Sequence, residues 1–376
     1  MKILIAPDKF KGSLSAEKVC EALAEGIRMV LPHASIVSHP MADGGDGSLD
    51  ILKKYIELTP VACLSYDPLM RPIKTEYYVN DDTAYIELAS CSGYVLLSTE
   101  ERNPMWTTSF GTGVLIKHAI EITKANKIYL FIGGSATNDA GIGIANALGY
   151  KFYDSDYHEL KPIGANLPKI VKIDQSNYLK MQSSFSIFAI CDVQNPFYGS
   201  QGAAYMYARQ KGANDEEIKL LDTGLKNISE VIEKDLMVSI ANIPGSGAAG
   251  GIGGGMMAFS NAKHISGSQF MVNQTRLEDE IKDVQLIISG EGKLDDQSLY
   301  GKLPSAMSIL ARDNHIPFAC VCGIDEMSQE AKKKLNIIDT VALVDIAPNI
   351  QNAITQPEKY LKMAAEKLIR NFISRN

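Results

Sequence analysis

Apolar runs of strand length alternate with amphipathic segments at both ends of the chain, and this alternation constrains the fold most strongly. The runs KILIAP (2–7) and ASIVSHP (34–40) have the composition of strands, and residues 15–31 between them carry apolar side chains at helical spacing. Three further runs, DVQLIISG, PFACVCG and TVALVDI, follow near the other end, with helical segments between them. Strands that alternate with helices predict a parallel sheet with helices on its faces, so we expect an α/β fold.

The middle of the chain follows a different pattern. From residue 61, strand-like runs are broken by Asp-Pro, Arg-Pro and Asn-Asp-Asp turns, which predicts an antiparallel meander. With 376 residues, the chain is too long for one compact core. The simplest organisation is a discontinuous domain, residues 1–60 and 281–376, with five parallel strands, and an inserted second α/β domain, residues 61–280. A cleft between two such domains is a natural ligand site.

Composition argues against several classes of function. Lys and Arg number 37 against 44 Asp and Glu, a formal charge of −7 without a basic cluster, so we expect no nucleic-acid partner. No apolar run approaches the length of about 18 residues that a membrane span needs, and the first residues enter a strand-like run directly. We therefore expect a cytoplasmic protein with no membrane partner. The six cysteines are scattered, as is typical of reduced thiols, and the six histidines form no zinc-binding pattern.

Five loops place glycine or small residues beside Asp, Asn or Lys where a strand-like run ends, and ligands of open α/β sheets bind at that edge. In chain order they are residues 8–13, 41–48, 133–139, 191–196 and 289–295. Lys9 and Lys11 in the first loop suit a phosphate or carboxylate, although solvated surface lysines fit the sequence equally well. The carboxylates of the second loop suit a metal or a substrate hydroxyl, and a helix-capping turn is the alternative.

The third loop, GGSATND, precedes a predicted helix whose free backbone N–H groups suit an anion. Asn138 and Asp139 are equally suited to capping that helix. The fourth loop offers Asp192 and Asn195, and Lys211 follows downstream in the stretch QKGAN. For the third loop both alternatives, a ligand site and a capped turn, stay open.

The fifth loop, SGEGKLD, contains Glu291, Lys293 and Asp295. These side chains suit either an internal ion-pair cluster or a site for Mg²⁺ and a nucleotide phosphate. Together the five loops offer carboxylates, lysines and glycine-rich backbone, which are the groups that phosphoryl transfer requires. The residues alone therefore favour a nucleotide-dependent kinase of unusual type.

The stretch IPGSGAAGGIGGG, residues 243–255, contains a loose GxGxxG through Gly245, Gly247 and Gly250. This motif suggests an NAD-dependent oxidoreductase for a small hydroxy acid as an alternative. A dinucleotide site needs a strand before the glycines and a second strand ending in an acidic residue after the helix. Pro244 stands where the strand should end, so the context argues against that alternative. A non-catalytic ligand-binding protein is the third possibility.

Eight blocks of the chain resemble, in this order, the bacterial glycerate kinase type 1 family: APDKFKGSLSA, PMADGGDG, SFGTGVLI, GGSATNDAG, CDVQNP, QKGAN, GSGAAGGIGGG and SGEGKLDDQSLYGK. The resemblance implies ATP- and Mg²⁺-dependent phosphorylation of D-glycerate to 2- or 3-phosphoglycerate. It also implies a flavodoxin-like domain and a restriction-enzyme-like α/β domain, with the active site between them. Three positions depart from the family pattern: the second loop usually reads DGGEGT where this chain has Asp46 and Ser48, and Arg209 stands where proline is common.

The resemblance also implies roles for individual residues. Expected catalytic residues are Asp192, Asp43 and Lys11. Expected substrate-binding residues are Lys9, Ser13, Gly134, Ser135, Asn138, Asn195, Lys211, Gly250 and Gly251. Expected ATP-binding residues are Gly290, Gly292, Lys293 and Lys302. Asp46 and Asp295 are the expected Mg²⁺ ligands, and a homo-oligomer is left open.

Overall fold

A computed structural model describes residues 1–45, 47–178, 185–299 and 301–375. Its strands are β1 (Lys2–Ile5), β2 (Ser35–Ser38), β3 (Thr59–Tyr66), β4 (Pro72–Asn80), β5 (Thr83–Glu87), β6 (Lys127–Phe131), β7 (Lys151–Tyr153), β8 (Lys172–Asp174), β9 (Ser186–Ile190), β10 (Lys263–Ile265), β11 (Leu286–Leu294), β12 (Phe318–Asp325) and β13 (Ile337–Ala342).

The α-helices of the same residues are α1 (Ala16–Val30), α2 (Ser48–Leu52), α3 (Ala89–Ser92), α4 (Phe110–Glu121), α5 (Ile142–Ala147), α6 (Asp215–Leu236), α7 (Ala248–Ser260), α8 (Gly267–Gln274), α9 (Leu303–Asp313), α10 (Gln329–Lys334), α11 (Ile350–Thr355) and α12 (Pro357–Arg375). None of these helices is both long enough and apolar enough to cross a bilayer.

The chain packs as two compact units. Unit 1 contains residues 1–43, 50–56 and 266–376, and unit 2 contains residues 44–49 and 57–265. The domain limits expected from the sequence, residues 1–60 with 281–376 and residues 61–280, stay a prediction about which segments fold together.

Unit 1 is built on a five-stranded sheet with the order β2-β1-β11-β12-β13, in which every pair is parallel. In chain order the strands lie 2-1-3-4-5, the order of flavodoxin-like folds. Strand β1 is therefore internal: Leu4 pairs with Val37 of β2 on one side and with Ile287 of β11 on the other. The five parallel strands and the flavodoxin-like topology that we expected are confirmed.

Helix α1 shows how the local sequence builds this unit. It begins after Ser15, whose hydroxyl accepts a hydrogen bond from the Lys18 backbone N–H. Its apolar face, including Leu23 and Ile27, is fully buried in the core beneath the sheet. A Cβ atom on Gly26 would lie 2.2 Å from the Lys362 carbonyl oxygen, so the missing side chain lets α1 and α12 pack closely.

Unit 2 is built on a six-stranded sheet with the order β10-β9-β6-β5-β4-β3. Strands β3, β4 and β5 form the predicted antiparallel meander, whereas β5, β6, β9 and β10 are mutually parallel. Since β6 and β9 are adjacent and parallel, the loops that follow them leave the sheet at the same edge. The expected likeness of this unit to restriction enzymes stays a prediction.

The glycine-rich stretch leads into α7 and lies against backbone. A Cβ atom would lie 2.1 Å from the Pro196 oxygen at Gly247, 2.1 Å from the Thr137 oxygen at Gly250 and 2.0 Å from the Ala140 oxygen at Gly255. Gly250 also has a φ of 74°, which disfavours a side chain. Among the described residues the strand that precedes this stretch is β9, some fifty residues earlier, so the strand of a dinucleotide-binding motif is missing.

Substitution of Gly255 by alanine tests this close packing. Because the added methyl group would overlap the Ala140 carbonyl, we expect Gly255→Ala to lower the free energy of unfolding by about 1–3 kcal/mol in urea titrations. Gly199→Ala is the control, because its Cβ atom would meet nothing within 4 Å. Any loss of stability in this variant comes from its φ of 93° alone. A Gly255→Ala variant as stable as the wild type would contradict the packing argument.

Candidate functional site

Four of the predicted loops and segments meet in unit 2. The Lys211 Nζ donates hydrogen bonds to the Ser135 hydroxyl and to the Thr137 carbonyl oxygen, each at 2.7 Å. The Gly250 carbonyl oxygen accepts from the Ala140 N–H at 3.1 Å, immediately after the same loop. The Asn195 carbonyl oxygen accepts from the Gly247 N–H at 3.0 Å. We call the set Ser135, Thr137, Asn138 and Lys211 the polar cluster of unit 2.

Lys211 carries the positive charge of the polar cluster. The residue is only 4% exposed. Burial lowers the pKa of its ammonium group to about 7, although the nearby Asp139 carboxylate acts in the opposite direction. An ammonium group has three N–H donors, and two of them bind Ser135 and Thr137. The third has no partner among the residues that the structure describes and is available to a ligand.

Asp139 resolves one of the alternatives left open by the sequence. Its carboxylate accepts the backbone N–H and the hydroxyl of Ser109, both at 2.7 Å, and the N–H groups of Gly141 and Gly143 at 3.2 and 3.3 Å. Asp139 therefore caps the start of α5, and the N–H groups of Gly141, just before the helix, and of Gly143, in its first turn, are engaged rather than available to an anion. Burial raises the pKa of the Asp139 carboxyl group, and these hydrogen bonds act against the shift.

Asn138 does not act as a cap. The residue is 0% exposed, and neither its amide nitrogen nor its amide oxygen has a hydrogen-bond partner among the described residues. The hydroxyls of Thr137 and Ser246 are also buried without a partner there. An unpaired buried polar group costs about 1–3 kcal/mol, so buried groups of this kind usually meet a water or a ligand. The polar cluster has the unused donors and acceptors that a small polar ligand requires.

Asp192 and Asn195 follow β9 in the fourth loop. Asp192 is half-buried just beyond the end of the strand. The Asn195 amide donates to the Gln201 carbonyl oxygen at 2.9 Å, and its amide oxygen accepts the Tyr207 hydroxyl at 2.5 Å. The Asn195 side chain thus shapes the loop from within.

Tyr207 was not among the predicted residues. It lies in a π-helical turn, Ala204–Ala208, shortly before Lys211, and turns of this rare type occur frequently at functional sites. Nothing in the sequence distinguishes Tyr207 from the neighbouring Tyr205.

The predicted glycines of unit 2 have backbone roles. Gly134 has a φ of 71°, and its carbonyl oxygen accepts from the Tyr94 N–H at 3.1 Å. Gly251 has a φ of 89°, and a Cβ atom there would lie 2.9 Å from the Leu225 side chain. Both positions favour glycine for conformation or packing, and a ligand contact through their N–H groups stays a prediction.

In unit 1, acidic side chains gather where β1 and β11 end. The strand order reverses between these two strands, and ligands of open α/β sheets bind at such a switch point. Asp8 follows β1, is 8% exposed and donates its N–H to the Gly290 carbonyl oxygen of β11 at 2.9 Å. Burial raises the pKa of the Asp8 carboxyl group well above its usual range, and the negative charges of Asp43 and Glu291 raise it further.

Glu291 is the second buried carboxylate of this edge. Burial raises its pKa to about 7 and the charges of Asp43 and Asp295 add to the shift, although Lys302 and a 2.6 Å hydrogen bond from the Ser298 hydroxyl lower it. We call Asp8, Asp43 and Glu291 the carboxylate cluster of unit 1. Sequence reasoning assigned no role to Asp8, although its place directly after the first strand was the available signal.

The remaining charged residues of the fifth loop form ion pairs. The Lys302 Nζ lies 3.5 Å from an Asp295 carboxylate oxygen and 3.9 Å from one of Glu291. Lys293 lies 2.8 Å from a carboxylate oxygen of Glu326 and 4.0 Å from one of Asp295. Of the two alternatives for this loop, the internal ion-pair cluster is therefore present, and the Mg²⁺-ligand role of Asp295 stays a prediction.

The first loop and the fifth-loop glycines complete the edge of unit 1. The Lys9 N–H donates to a carboxylate oxygen of Asp8 at 2.6 Å, while Lys11 is exposed. The Ser13 hydroxyl donates to the Ile354 carbonyl oxygen at 3.2 Å. A Cβ atom on Gly290 would lie 2.0 Å from the Val321 oxygen, which gives this glycine a packing reason in the sheet.

Gly292 and Asp46 are two further residues predicted from the sequence. At Gly292 the nearest atom to an added Cβ is the Lys11 nitrogen at 3.6 Å, an ordinary contact, so packing does not explain that glycine. Asp46, an expected Mg²⁺ ligand, lies outside the described residues. Within those residues, the group of three potential ligand atoms all within 4.8 Å of one another is Asp154, Asp156 and His158, on a largely exposed turn.

The sequence of the whole chain matches a known family. The profile of the glycerate kinase family aligns with residues 3–373. The chain belongs to the glycerate kinase family. It is 40% identical to the glycerate 2-kinase of Escherichia coli over 325 residues, which cover 86% of this chain and 85% of that one. It is 35% identical to a glycerate kinase of Halalkalibacterium halodurans, with 97% of each chain covered.

A solved structure agrees with this assignment to the glycerate kinase family. The crystal structure of a putative glycerate kinase 2 from Salmonella typhimurium LT2 superposes with a TM-score of 0.77 at 33% identity, covering 100% of this chain and 98% of that one. The mixed α/β fold with parallel sheets is therefore that of a glycerate kinase.

The buried Lys211 makes a pH-dependent contribution to the stability of this glycerate kinase. Its pKa is about 7 in the folded protein and about 10.5 in the unfolded chain, so the unfolded chain binds more protons between these pH values. The contribution of Lys211 to the free energy of unfolding must therefore rise with pH across this window. We expect the wild type to gain up to about 4 kcal/mol relative to Lys211→Met between pH 7 and pH 10 in urea titrations.

The control for this measurement is Lys226→Met, which removes an exposed lysine of the same unit. It should leave the pH dependence of the wild type intact. If the free energies of unfolding of the wild type and Lys211→Met change with pH in parallel, Lys211 keeps its ordinary pKa in the folded protein.

Proposed function

We propose that this protein transfers the γ-phosphoryl group of ATP to a hydroxyl group of D-glycerate, releasing ADP and phosphoglycerate. The observation that carries the proposal is the family match, which extends through both units. The polar cluster and the carboxylate cluster supply charge neutralisation, positioning groups and oxygen ligands, which are the requirements of phosphoryl transfer.

We further propose the C2 hydroxyl as the acceptor. The relative from Escherichia coli, at 40% identity, is a glycerate 2-kinase, and its name supports this position for the present chain. The product would then be 2-phosphoglycerate.

Unit 2 supplies the groups suited to the hydroxy acid. Lys211 has an unused N–H donor for a carboxylate, and Ser135 beside it is held in place by the same ammonium group. Asp192, at the end of β9, is the candidate to orient or deprotonate the acceptor hydroxyl. Gly134, Asn195, Gly250 and Gly251 shape the backbone around these side chains.

Unit 1 supplies the groups suited to a nucleotide and its metal ion. Mg²⁺ prefers oxygen ligands and is usually bound by one or two carboxylates together with substrate phosphates and waters. The carboxylate cluster fits this donor set: burial and mutual repulsion disfavour the ionised carboxylates, which raises the pKa values of Asp8 and Glu291, and a bound cation would offset that repulsion. Asp8, Asp43 and Glu291 would hold the ion, which on binding neutralises phosphate charge. Lys9, Lys11 and Lys302 are the candidate phosphate-binding lysines.

The proposal is tested by ADP release with ATP, Mg²⁺ and D-glycerate. Addition of enolase, pyruvate kinase and lactate dehydrogenase to the products then identifies the acceptor, because enolase consumes 2-phosphoglycerate but not 3-phosphoglycerate. We expect the coupled enzymes to oxidise NADH without added phosphoglycerate mutase. If NADH oxidation requires the mutase, the acceptor is the C3 hydroxyl. No ADP release would overturn the kinase proposal.

The alternative functions give different results in the same assay. An oxidoreductase would reduce NAD⁺ with glycerate and release no ADP, and a binding protein would bind glycerate without turnover. A cytoplasmic location is also proposed, since ATP is abundant there and the described cysteines are all free thiols.

Substitution of Asp192 tests its place in the reaction. If its carboxylate orients or accepts the proton of the acceptor hydroxyl, Asp192→Asn should lower kcat by about 100-fold or more with little change in folding stability. Asp156→Asn, on an exposed turn of the same unit, is the matched control and should keep full activity. Near-full turnover by a folded Asp192→Asn variant would reject the role.

Substitution of Asp8 tests the carboxylate cluster. Removing one anionic oxygen ligand should raise the Mg²⁺ concentration for half-maximal rate by roughly 10-fold or more in Asp8→Asn, measured at saturating glycerate. Asp313→Asn removes an exposed carboxylate of the same unit and should leave the Mg²⁺ dependence unchanged. An unchanged Mg²⁺ requirement in Asp8→Asn would remove Asp8 from the proposed ligand set.

A further inference from the structure

The side-chain amide of Asn138 is buried in unit 2 without a hydrogen-bond partner among the described residues. Its nitrogen has two donors and its oxygen accepts, yet the residue is 0% exposed and neither atom has a partner among the described residues. Another asparagine of the neighbouring helix behaves differently: the Asn146 amide donates to the Tyr150 carbonyl oxygen at 3.0 Å. Asn138 is therefore an exception within its own surroundings.

The backbone around Asn138 is fixed from several sides. The Thr137 carbonyl oxygen, in the peptide bond that precedes Asn138, accepts from Lys211 at 2.7 Å. Gly250 lies so close that a Cβ atom there would be 2.7 Å from the Asn138 Cα. Asp139, which follows, is held by its four hydrogen bonds. With its backbone held in this way, the amide is positioned in advance, and ordering it on binding costs little.

The chemistry of the unused groups defines the ligand that suits them. An amide that both donates and accepts matches a hydroxyl group, which also does both. The unused N–H of the neighbouring Lys211 matches a carboxylate. A small hydroxy acid combines the two groups within a few bonds.

We propose that Asn138 is a specificity-determining residue that binds the C3 hydroxyl of glycerate, while Lys211 binds its carboxylate. This inference rests on the proposed function, in which the C2 hydroxyl receives the phosphoryl group. An amide that donates to and accepts from one hydroxyl occupies a lone pair and fixes the proton of that oxygen, which suits the hydroxyl that does not react. A site that hydrogen-bonds a hydroxyl rejects the analogue that lacks it, because the buried amide is then left unpaired.

D-Lactate is the probe, since it is D-glycerate without the C3 hydroxyl. Calorimetry without ATP measures binding of each acid to the full chain and does not depend on phosphoryl transfer. The wild type should bind D-glycerate about 10- to 100-fold more tightly than D-lactate. In Asn138→Leu, which has similar size and no polar atoms, D-glycerate affinity should fall by a similar factor and the preference should disappear.

Thermal unfolding distinguishes recognition from a structural role. If the amide has no partner inside the protein, Asn138→Leu should be as stable as the wild type or more stable. The matched control, Asn146→Leu, removes a paired amide, so it should lose stability and keep the preference for glycerate. Asn138→Ala serves as the second variant should leucine prevent folding, with the same loss of preference expected.

Two results would overturn the inference. One is a folded Asn138→Leu or Asn138→Ala variant that retains the wild-type preference for D-glycerate. The other is a destabilised Asn138→Leu variant with unchanged affinity for both acids, which would mean that the amide binds a structural water. A wild type that binds D-glycerate preferentially but releases no ADP would instead reject the proposed kinase function, while the variants would still test Asn138.

Discussion

The close approach of the α7 backbone to residues 137–140 is the constraint on which the rest of unit 2 depends. It requires glycine at positions 250 and 255, where a side chain would overlap the carbonyl oxygens of Thr137 and Ala140. The Ala140 N–H and the Gly250 carbonyl oxygen then join the two segments directly. The glycines that first suggest a dinucleotide-binding loop therefore serve to bring a polar loop against a helix. The same approach brings Gly250 against the backbone of Asn138, the residue whose buried amide has no partner among the described residues.

The burial of Lys211 is the second costly feature of the same unit. The hydrogen bonds to Ser135 and Thr137 and the nearby Asp139 carboxylate offset part of the cost of burying this ammonium group, although its pKa is still lowered to about 7. Unit 1 shows the opposite charge balance, with carboxyl groups whose pKa values are raised by burial and by one another. Each unit thus holds ionisable groups in a poorly solvated position: an ammonium group in unit 2 and carboxyl groups in unit 1. A phosphoryl-transfer enzyme needs both kinds of site, one for an anionic acceptor and one for a nucleotide with its cation.

The sequence predicts the sheets better than the side-chain contacts. Alternating apolar runs predict the five parallel strands of unit 1, and Ser15 marks the start of α1, because both signals are local. The loops that gather around the sites are also predictable, since they follow strands. The difference between Asp139, which caps α5, and Asn138, which does not, depends on Ser109 and α7, which are remote in the chain. The role of Asp8 was missed because its neighbours in the fold include Gly290 and Glu291 of β11, which no local pattern links to it.

The internal position of β1 has a consequence for how the chain reaches its folded state. Ile3 pairs with Ile36 on one side and with Leu286 on the other. The hydrogen bonds on one side of the first strand can therefore form only after β11, in the last third of the chain, has been synthesised. During synthesis the intervening segment completes its own six-stranded sheet with β10, which ends at Ile265, shortly before β11 begins at Leu286. The first strand must therefore remain unpaired on one edge for most of translation, and such edges are prone to wrong pairing. Early folding of unit 2 would shorten the effective distance between β1 and β11 and favour the native register.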